Sequence, residues 1–308
     1  MAISRAQLVK ELEPGLNALF GLEYKNYTNE HAEIFDTENS DRAFEEEVML
    51  SGFANAAVKP EGQGVTFDDA QETFTARYTN ETIALAFAIT EEAIEDNLYD
   101  RLASRYTKAL ARSMANTKQV KAAAVLNNGF NNTFAGGDGV SLFGNGAGGA
   151  ISNHPTMAGT FSNQLQTPAD LNETSLEQAL IDVAAMTDER GLKIAARGMK
   201  MVIPSALQFT ADRLMKSEGR TGTADNDINA IRNMGMVPQG YTVNHYLTSA
   251  KKWFIKTDVP NGLKHFVRAP IKTTMEGDFD TGNVRYKARE RYVFGFSDPR
   301  GVFGTPGA

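Results

Sequence analysis

The chain has 308 residues and a mass of 33.5 kDa, with 42% hydrophobic and 22% charged residues, a globular composition that excludes wholesale disorder. It has no cysteine, which removes disulfides, thiolate metal sites and cysteine nucleophiles together. Lys and Arg number 31 against 38 Asp and Glu, and residues 1–50 alone carry 11 acids and 4 bases, so there is no broad electrostatic footprint for nucleic acid.

In chain order, residues 5–22 read as a short helix with Leu8, Leu12, Leu16 and Leu19 on one face, interrupted at Pro14-Gly15. Residues 23–47 are polar and acidic and read as an arm rather than part of a core. Between Pro60 and Pro155 no proline occurs. Two strand-like arms flank the turn-rich Lys59-Pro60-Glu61-Gly62-Gln63-Gly64. In the second arm Ile83, Leu85, Phe87 and Ile89 alternate with alanines, while Phe74, Ala76 and Tyr78 alternate in the opposite phase. The switch near Asn80-Glu81-Thr82 predicts a bulge or strong twist.

Thr90-Glu91-Glu92 opens a long helix, with Ile94, Leu98, Leu102, Tyr106, Leu110 and Met114 repeating every four residues and Asn127-Asn128-Gly129 closing it. The four-residue spacing drifts around the helix, so different sections bury different faces. At about 38 residues it spans roughly 57 Å. A compact domain of this length is only about 50 Å across. An isolated two-stranded ribbon is marginal in water, so the hairpin must rest on something, most economically neighbouring copies. The chain reads as a flat, extended subunit built to be tiled.

Residues 130–170 read as loop. A helix over 171–186 carries Leu176, Leu180, Val183 and Ala184 on one face; Met199–Ile203 is a strand, and Pro204-Ser205 starts a helix through Lys216. Residues 217–229 are polar and read as mobile. Short strands follow, including Lys252–Lys256 and a hairpin about Asp280-Thr281-Gly282-Asn283. In the last strand Arg285, Lys287, Arg289 and Arg291 face one way and Val284, Tyr286, Ala288, Tyr292, Phe294 and Phe296 the other, with Glu290 breaking the apolar side.

No motif commits the chain to catalysis, a metal or a cofactor. Gly144–Gly149 matches GxGxxG by letter but lacks a following helix, so it reads as a loop. Asp278-Phe279-Asp280-Thr281-Gly282 lacks the late acid of a calcium loop and reads as a turn. The four histidines (His31, His154, His245, His265) form no HExxH, and His154 before Pro155 reads as a hydrogen-bonding turn residue. Trp253 is assigned to the core. The Arg285/Lys287/Arg289/Arg291 stripe is assigned to a solvated face or to inter-subunit salt bridges, with the acidic arm of residues 30–47 as one partner, ahead of phosphate contact. No apolar run approaches the roughly 20 residues of a membrane span, and no signal-peptide core opens the chain, so it reads as soluble and intracellular.

This order of elements resembles the major capsid proteins of tailed bacteriophages, and most closely the major head subunits of Mu-like phages and prophages. Four stretches carry the resemblance: Asp138–Phe143 with His154-Pro155; Gly159–Asn163 leading to Asp170–Leu176; Met201–Leu207; and Phe294–Gly301. The segment between Phe143 and His154 departs from the family by its length and glycine content. The resemblance implies an α+β tailed-phage capsid fold with an N-arm (1–44), an extended β-hairpin E-loop (45–89), a spine helix of the P-domain (90–128), a mainly A-domain region (129–250) and mainly P-domain strands with the C-terminus (251–308). It further implies self-assembly into pentamers and hexamers of an icosahedral shell enclosing phage DNA without sequence-specific binding, virion localisation after assembly in the host cytoplasm, and portal and decoration proteins as partners. With so short a stretch before the arm, scaffolding is expected from a separate protein. Some family members crosslink a lysine to an asparagine. Lys59 is the natural candidate, but lysines at loop tips are common and no crosslink is expected.

Phe53, Lys59, Phe74 and Tyr78 are the expected inter-subunit contacts. An encapsulin-like nanocompartment shell is the alternative within the fold. A soluble hydrolase or ligand-binding oligomer is the alternative outside it.

Overall fold

The computed structural model describes residues 5–90, 92, 99–144, 153–219, 228–278 and 282–308. Helix α1 (Arg5–Asn26) runs straight through Pro14. Tertiary anchoring overrides the local break: Leu16 and Phe20 are buried, and Asn17 Oδ1 accepts from Thr273 Oγ1 at 2.7 Å and from the Tyr286 hydroxyl at 2.8 Å. A 3-10 turn (Glu30–Glu33) leads to strand β1 (Asp36–Asn39). Between them Ile34 and Phe35 are buried against Leu126 and Phe254, so the stretch expected to be only an arm contributes to the core.

Strands β2 (Phe44–Leu50) and β3 (Glu72–Thr79) pair antiparallel as a hairpin. Strand β4 (Glu81–Ile89) does not continue that hairpin; it pairs antiparallel with β11 (Val284–Phe296). The phase switch at Asn80 is therefore a change of sheet. Asn80 is buried there, donating to Ser40 Oγ at 2.7 Å and to the Arg42 carbonyl at 3.0 Å. The hairpin ends ten residues before the boundary expected at residue 89.

Helix α2 (Tyr99–Asn127) is about 44 Å long at 1.5 Å per residue. The expected start at Thr90-Glu91-Glu92, together with Ile94 and Leu98, falls largely outside the described residues. Its sections do bury different faces. Leu110 and Met114 pack with Tyr286 and Ile89, whereas Ala122 and Leu126 pack with Phe143 and Phe254.

The expected loop of residues 130–170 holds a small hairpin, β5 (His154–Thr156) and β6 (Gly159–Phe161). Helix α3 (Glu173–Ala184) begins in a reciprocal cap, Asn172 Oδ1 accepting from Ser175 N at 2.8 Å and Ser175 Oγ from Asn172 N at 3.0 Å. Strand β7 (Gly198–Ile203), helices α4 (Gln208–Lys216) and α5 (Ala230–Met234), and strands β8 (Tyr241–Val243), β9 (Trp253–Thr257), β10 (Leu263–Gly277) and β12 (Val302–Thr305) complete the chain.

Two four-stranded sheets organise these elements, one ordered β1-β10-β11-β4 and one ordered β12-β9-β7-β8. Residues 251–308 are thus divided, β10 and β11 in the first sheet and β9 and β12 in the second. The second sheet packs Met201, Ile203, Trp253, Ile255 and Phe303 against Leu176, Leu180 and Val183 of α3. Trp253 lies in this core as expected. The first sheet buries Tyr286 and Ala288 beneath α1 and α2.

Candidate inter-subunit surfaces

Strand β2 alternates in an inverted sense: Phe44, Val48 and Leu50 are exposed, while Glu45, Glu47 and Met49 are half-buried toward the body. The inward acids are satisfied locally. Glu45 Oε1 accepts from Ser40 Oγ at 2.8 Å and from the N–H groups of Asp41 and Arg42, and these bonds hold its carboxyl below the usual range. Glu47 accepts from Ser297 and pairs with Lys264 at 3.4 Å. Beyond β2 every residue from Phe53 to Gln71 is exposed, including Val58 and Phe67 at 93% each. Exposing that much apolar surface on a projecting segment marks a binding surface. The loop is closed at its neck by Ser51 and Gln71, whose backbone bond is 2.9 Å, and is tied to the body by Arg190, which donates to the Asp69 carbonyl at 2.7 Å.

The four expected contact residues separate on this geometry. Phe53 and Lys59 are exposed in the loop, and Phe74 is half-buried on β3. Tyr78 is only 4% exposed: its ring packs on Phe266 and against Gly295, and its hydroxyl meets Ser297. A Cβ at Gly295 would sit 2.6 Å from that ring, so glycine is required for the approach. Tyr78 is an anchor within its own subunit, which corrects its assignment as a contact. Sequence periodicity shows only that a residue is buried and not which chain covers it.

The basic stripe lies on the solvent face of the first sheet. Arg285, Lys287 and Arg289 are exposed and Arg291 half-exposed, and their cross-strand partners on β4 are Ala88, Ala86, Ala84 and Thr82. Arg285 pairs with Asp278. The acidic arm is engaged elsewhere: Glu30 with His245 at 2.6 Å, Glu33 with Lys200 at 3.1 Å, Asp36 with Lys256 at 2.9 Å, and Glu38 with Lys264. Among the described residues, the arm acids and the stripe thus have different partners within the chain. On the opposite face Glu290 is buried and takes Lys118 Nζ at 3.2 Å; burial pushes its carboxyl up, with Lys118 opposing.

At the base of the hairpin, residues from distant stretches of the sequence form a buried polar node. Arg300 donates to Glu189 at 2.6 Å, to Asp298 at 3.3 Å and to the Thr187 carbonyl at 2.8 Å, and its Nη1 lies 3.7 Å from Met49 Sδ on β2. Burial pushes the Asp298 carboxyl up, and Arg300 opposes that shift. A cavity of about 320 Å³ lies between this node and the hairpin, lined by Val48, Leu50, Phe74, Pro155, Asp298 and Arg300 among others. His154, expected at a turn, is instead fully buried on β5 between Asp138 and Asn163. Asp138 and His154 belong to one of the stretches that carry the resemblance, and Asn163 and Arg300 to two others. No local pattern marks Glu189, nor the exposed Phe209, Ile228 and Met234 around α4 and α5.

Among the described residues no group of three or more His, Asp or Glu side chains could hold a metal ion, and no helix is long and apolar enough to cross a membrane. The GxGxxG letters fall outside the described residues after Gly144. The Asp278 turn closes by a 2.8 Å bond from its N–H to the Asn283 carbonyl, with residues 279–281 outside the description.

A family model for phage capsid proteins matches residues 72–304. The chain belongs to the phage capsid protein family. This capsid protein also shares its fold with solved shells: the capsid of an empty GTA particle (14% identity, 92% of this chain and 91% of that one, TM-score 0.56), the procapsid of bacteriophage JBD30 (14%, 98% and 76%, 0.53) and the virus-like particle from Pyrococcus furiosus (10%, 95% and 98%, 0.52). No curated protein matches the sequence. The matched stretch begins at β3 and ends in β12, so it takes in the second sheet, the first sheet apart from β1, α2, and the Arg300, Glu189 and Asp298 node.

Proposed function

We propose that this capsid protein is the major head subunit of a tailed phage, assembling through pentamers and hexamers into an icosahedral shell around double-stranded DNA. The observation that carries the reading is the loop 53–71, exposed throughout and bearing Phe53, Val58, Val65 and Phe67. In this reading the hairpin β2–β3 is the E-loop and lies over a neighbouring copy. The alanine lane and basic stripe of the first sheet form a complementary face for a loop that carries Glu61, Asp68 and Asp69 beside its apolar residues. The first sheet with α2 is the P-domain, the second sheet with α3, α4 and α5 the A-domain, and α1 through β1 the N-arm. Closed symmetry sums many weak contacts into a stable particle, so the protein works through interfaces and needs no active site or cofactor. A separate scaffolding protein, a portal and a decoration protein are its partners, and assembly takes place in the host cytoplasm.

Negative-stain microscopy of the recombinant chain with its size-exclusion profile tests this. Closed shells or rings of five and six are expected, with the scaffold added if the chain alone stays small. A monodisperse small oligomer in the presence of scaffold would favour a soluble hydrolase or ligand-binding protein. The likeness to the Pyrococcus furiosus particle keeps one second reading in play, an encapsulin-like compartment. Small shells holding a cargo peptide and no DNA would favour that.

A further inference from the structure

The two four-stranded sheets have four edge strands, and three of them are blunted by shortness, charge or cover. β1 has four residues and carries Asp36 and Glu38, β8 has three residues, and β12 is buried along its whole length. β4 is different. It runs for nine residues, Glu81-Thr82-Ile83-Ala84-Leu85-Ala86-Phe87-Ala88-Ile89, without proline, glycine or lysine, and its register with β11 has no bulge. Its one charged residue, Glu81, stands at the end and is held by Lys121. Among the described residues β4 makes backbone ladder bonds to β11 alone, so its outer row of N–H and C=O groups has no partner within the chain. The edge is open as well: Leu85 is 46% exposed, and Thr82, Ala84, Ala86 and Ala88 are exposed. A long, straight, unprotected edge is a template for another strand.

We propose that this edge takes residues 64–67 of a neighbouring copy as an added strand, extending the first sheet to five strands across the subunit boundary. The proposal rests on the reading of the chain as a shell subunit and adds to it how the loop is held. The loop itself argues for being the occupant. Over residues 55–67 one backbone hydrogen bond occurs, Gln63 N to the Pro60 carbonyl at 3.3 Å, so this segment also carries backbone groups free to pair. Val65-Thr66-Phe67 are good strand formers, and none of the three has a positive φ. In an extended segment Val65 and Phe67 share one face and Thr66 takes the other. Set beside β4 with Val65 and Phe67 on the solvent face, they flank Ala84 and Ala86, whose small side chains leave room, and Thr66 falls beside Leu85. Charge agrees with this placement. Lys287 and Arg289, the β11 partners of Ala86 and Ala84, have no ion pair among the described residues, and the incoming segment is bracketed by Glu61 and Asp69. A second copy's β4 in the same place would instead bring another basic stripe toward this one.

The absence of cysteine makes disulfide mapping of the full chain direct. Shells are co-assembled, with scaffold where the chain needs it, from one chain carrying V65C or T66C and another carrying A84C, L85C, A86C or K287C. An added strand gives links of period two: V65C joins A84C or A86C, and T66C joins L85C. Facing residues of paired strands have Cα atoms about 4.5–5.5 Å apart, within disulfide reach. Links from V65C and T66C alike to one β4 position, or links only to K287C, would overturn the strand while leaving the loop on its neighbour. A link between two L85C chains would set β4 against itself and overturn the loop as occupant. Intact shells with no link would overturn the proposal alone, and a parent chain that forms no shells with scaffold would overturn the reading beneath it as well. Should a cysteine variant fail to assemble, residue-resolved hydrogen exchange of the parent chain reads the same edge. Alternate amides from Thr82 to Ala88 are expected to exchange at least about tenfold more slowly in shells than in subunits, and unchanged exchange would overturn the strand.

Discussion

Strands β11 and β2 alternate with the same period and in opposite senses. β11 turns Tyr286, Ala288 and Tyr292 inward and Arg285, Lys287 and Arg289 outward, as a strand covered by its own helices does. β2 turns Glu45 and Glu47 inward and Phe44, Val48 and Leu50 outward. Period specifies a strand; sense specifies where its cover comes from. For β11 the cover is α1 and α2 of the same chain. For β2, Phe44 is capped only by the Arg77 guanidinium at 4.0 Å from its ring centroid while Val48 and Leu50 stay exposed, and in a capsid protein the available cover is another copy.

The sharpest way to break this comparison is to remove what β2 leads into. Deleting residues 55–70 is expected to leave circular dichroism and thermal unfolding of the subunit nearly unchanged and to abolish shells in negative stain. Normal particles from that deletion would sink the assignment. On β11, Tyr286→Ala should destabilise the subunit by about 3–5 kcal/mol in denaturant unfolding, because it empties a packed site and removes one of the two hydroxyls that donate to Asn17.

Acid should also act on the β11 side. His31 and His265 meet edge to face at 5.2 Å, and His265 stacks on Phe294 at 4.2 Å. Burial first and Lys118 second push these imidazoles down from 6.5 to about 4 and about 3. The unfolded chain therefore binds more protons than the folded one. This contribution is complete above pH 6.5 and is lost as the pH falls through the folded values. On the order of 2–4 kcal/mol should disappear between about pH 6.5 and 4, read by thermal melts, with β1 and the preceding turn gaining hydrogen exchange first. A stability that rose over this interval would contradict the burial of the pair. The smallest subunit effect belongs to Leu50→Ser on β2, within about 0.5 kcal/mol, although the same change should raise the concentration needed for assembly.

Much of this was legible where one periodic segment meets one partner. The β11 alternation and the α3 face of Leu176, Leu180 and Val183 followed from spacing alone, and Trp253 lies in the core to which it was assigned. Ala184, assigned to that helix face, is exposed because the helix ends there. The path of β4 was not legible, since Phe87 would alternate identically in a hairpin arm or a central sheet. The helix over residues 5–22 was legible but its continuity across Pro14 was not, because Asn17 and Phe20 hold it through contacts more than 250 residues away in sequence. Of the candidate surface, Phe53 and Lys59 were readable as loop residues, whereas the buried node was not. Arg300, Glu189 and His154 meet only once both sheets are assembled, and charged residues in loops give no sign of burial beforehand.

The most direct test of the central claim is a cryo-microscopy reconstruction of the assembled particle. The account expects residues 51–71 of each copy to lie on the solvent face of a neighbour's β4 and β11, with Phe67 and Val58 buried there. An intact shell in which that loop stands free in solvent would contradict it.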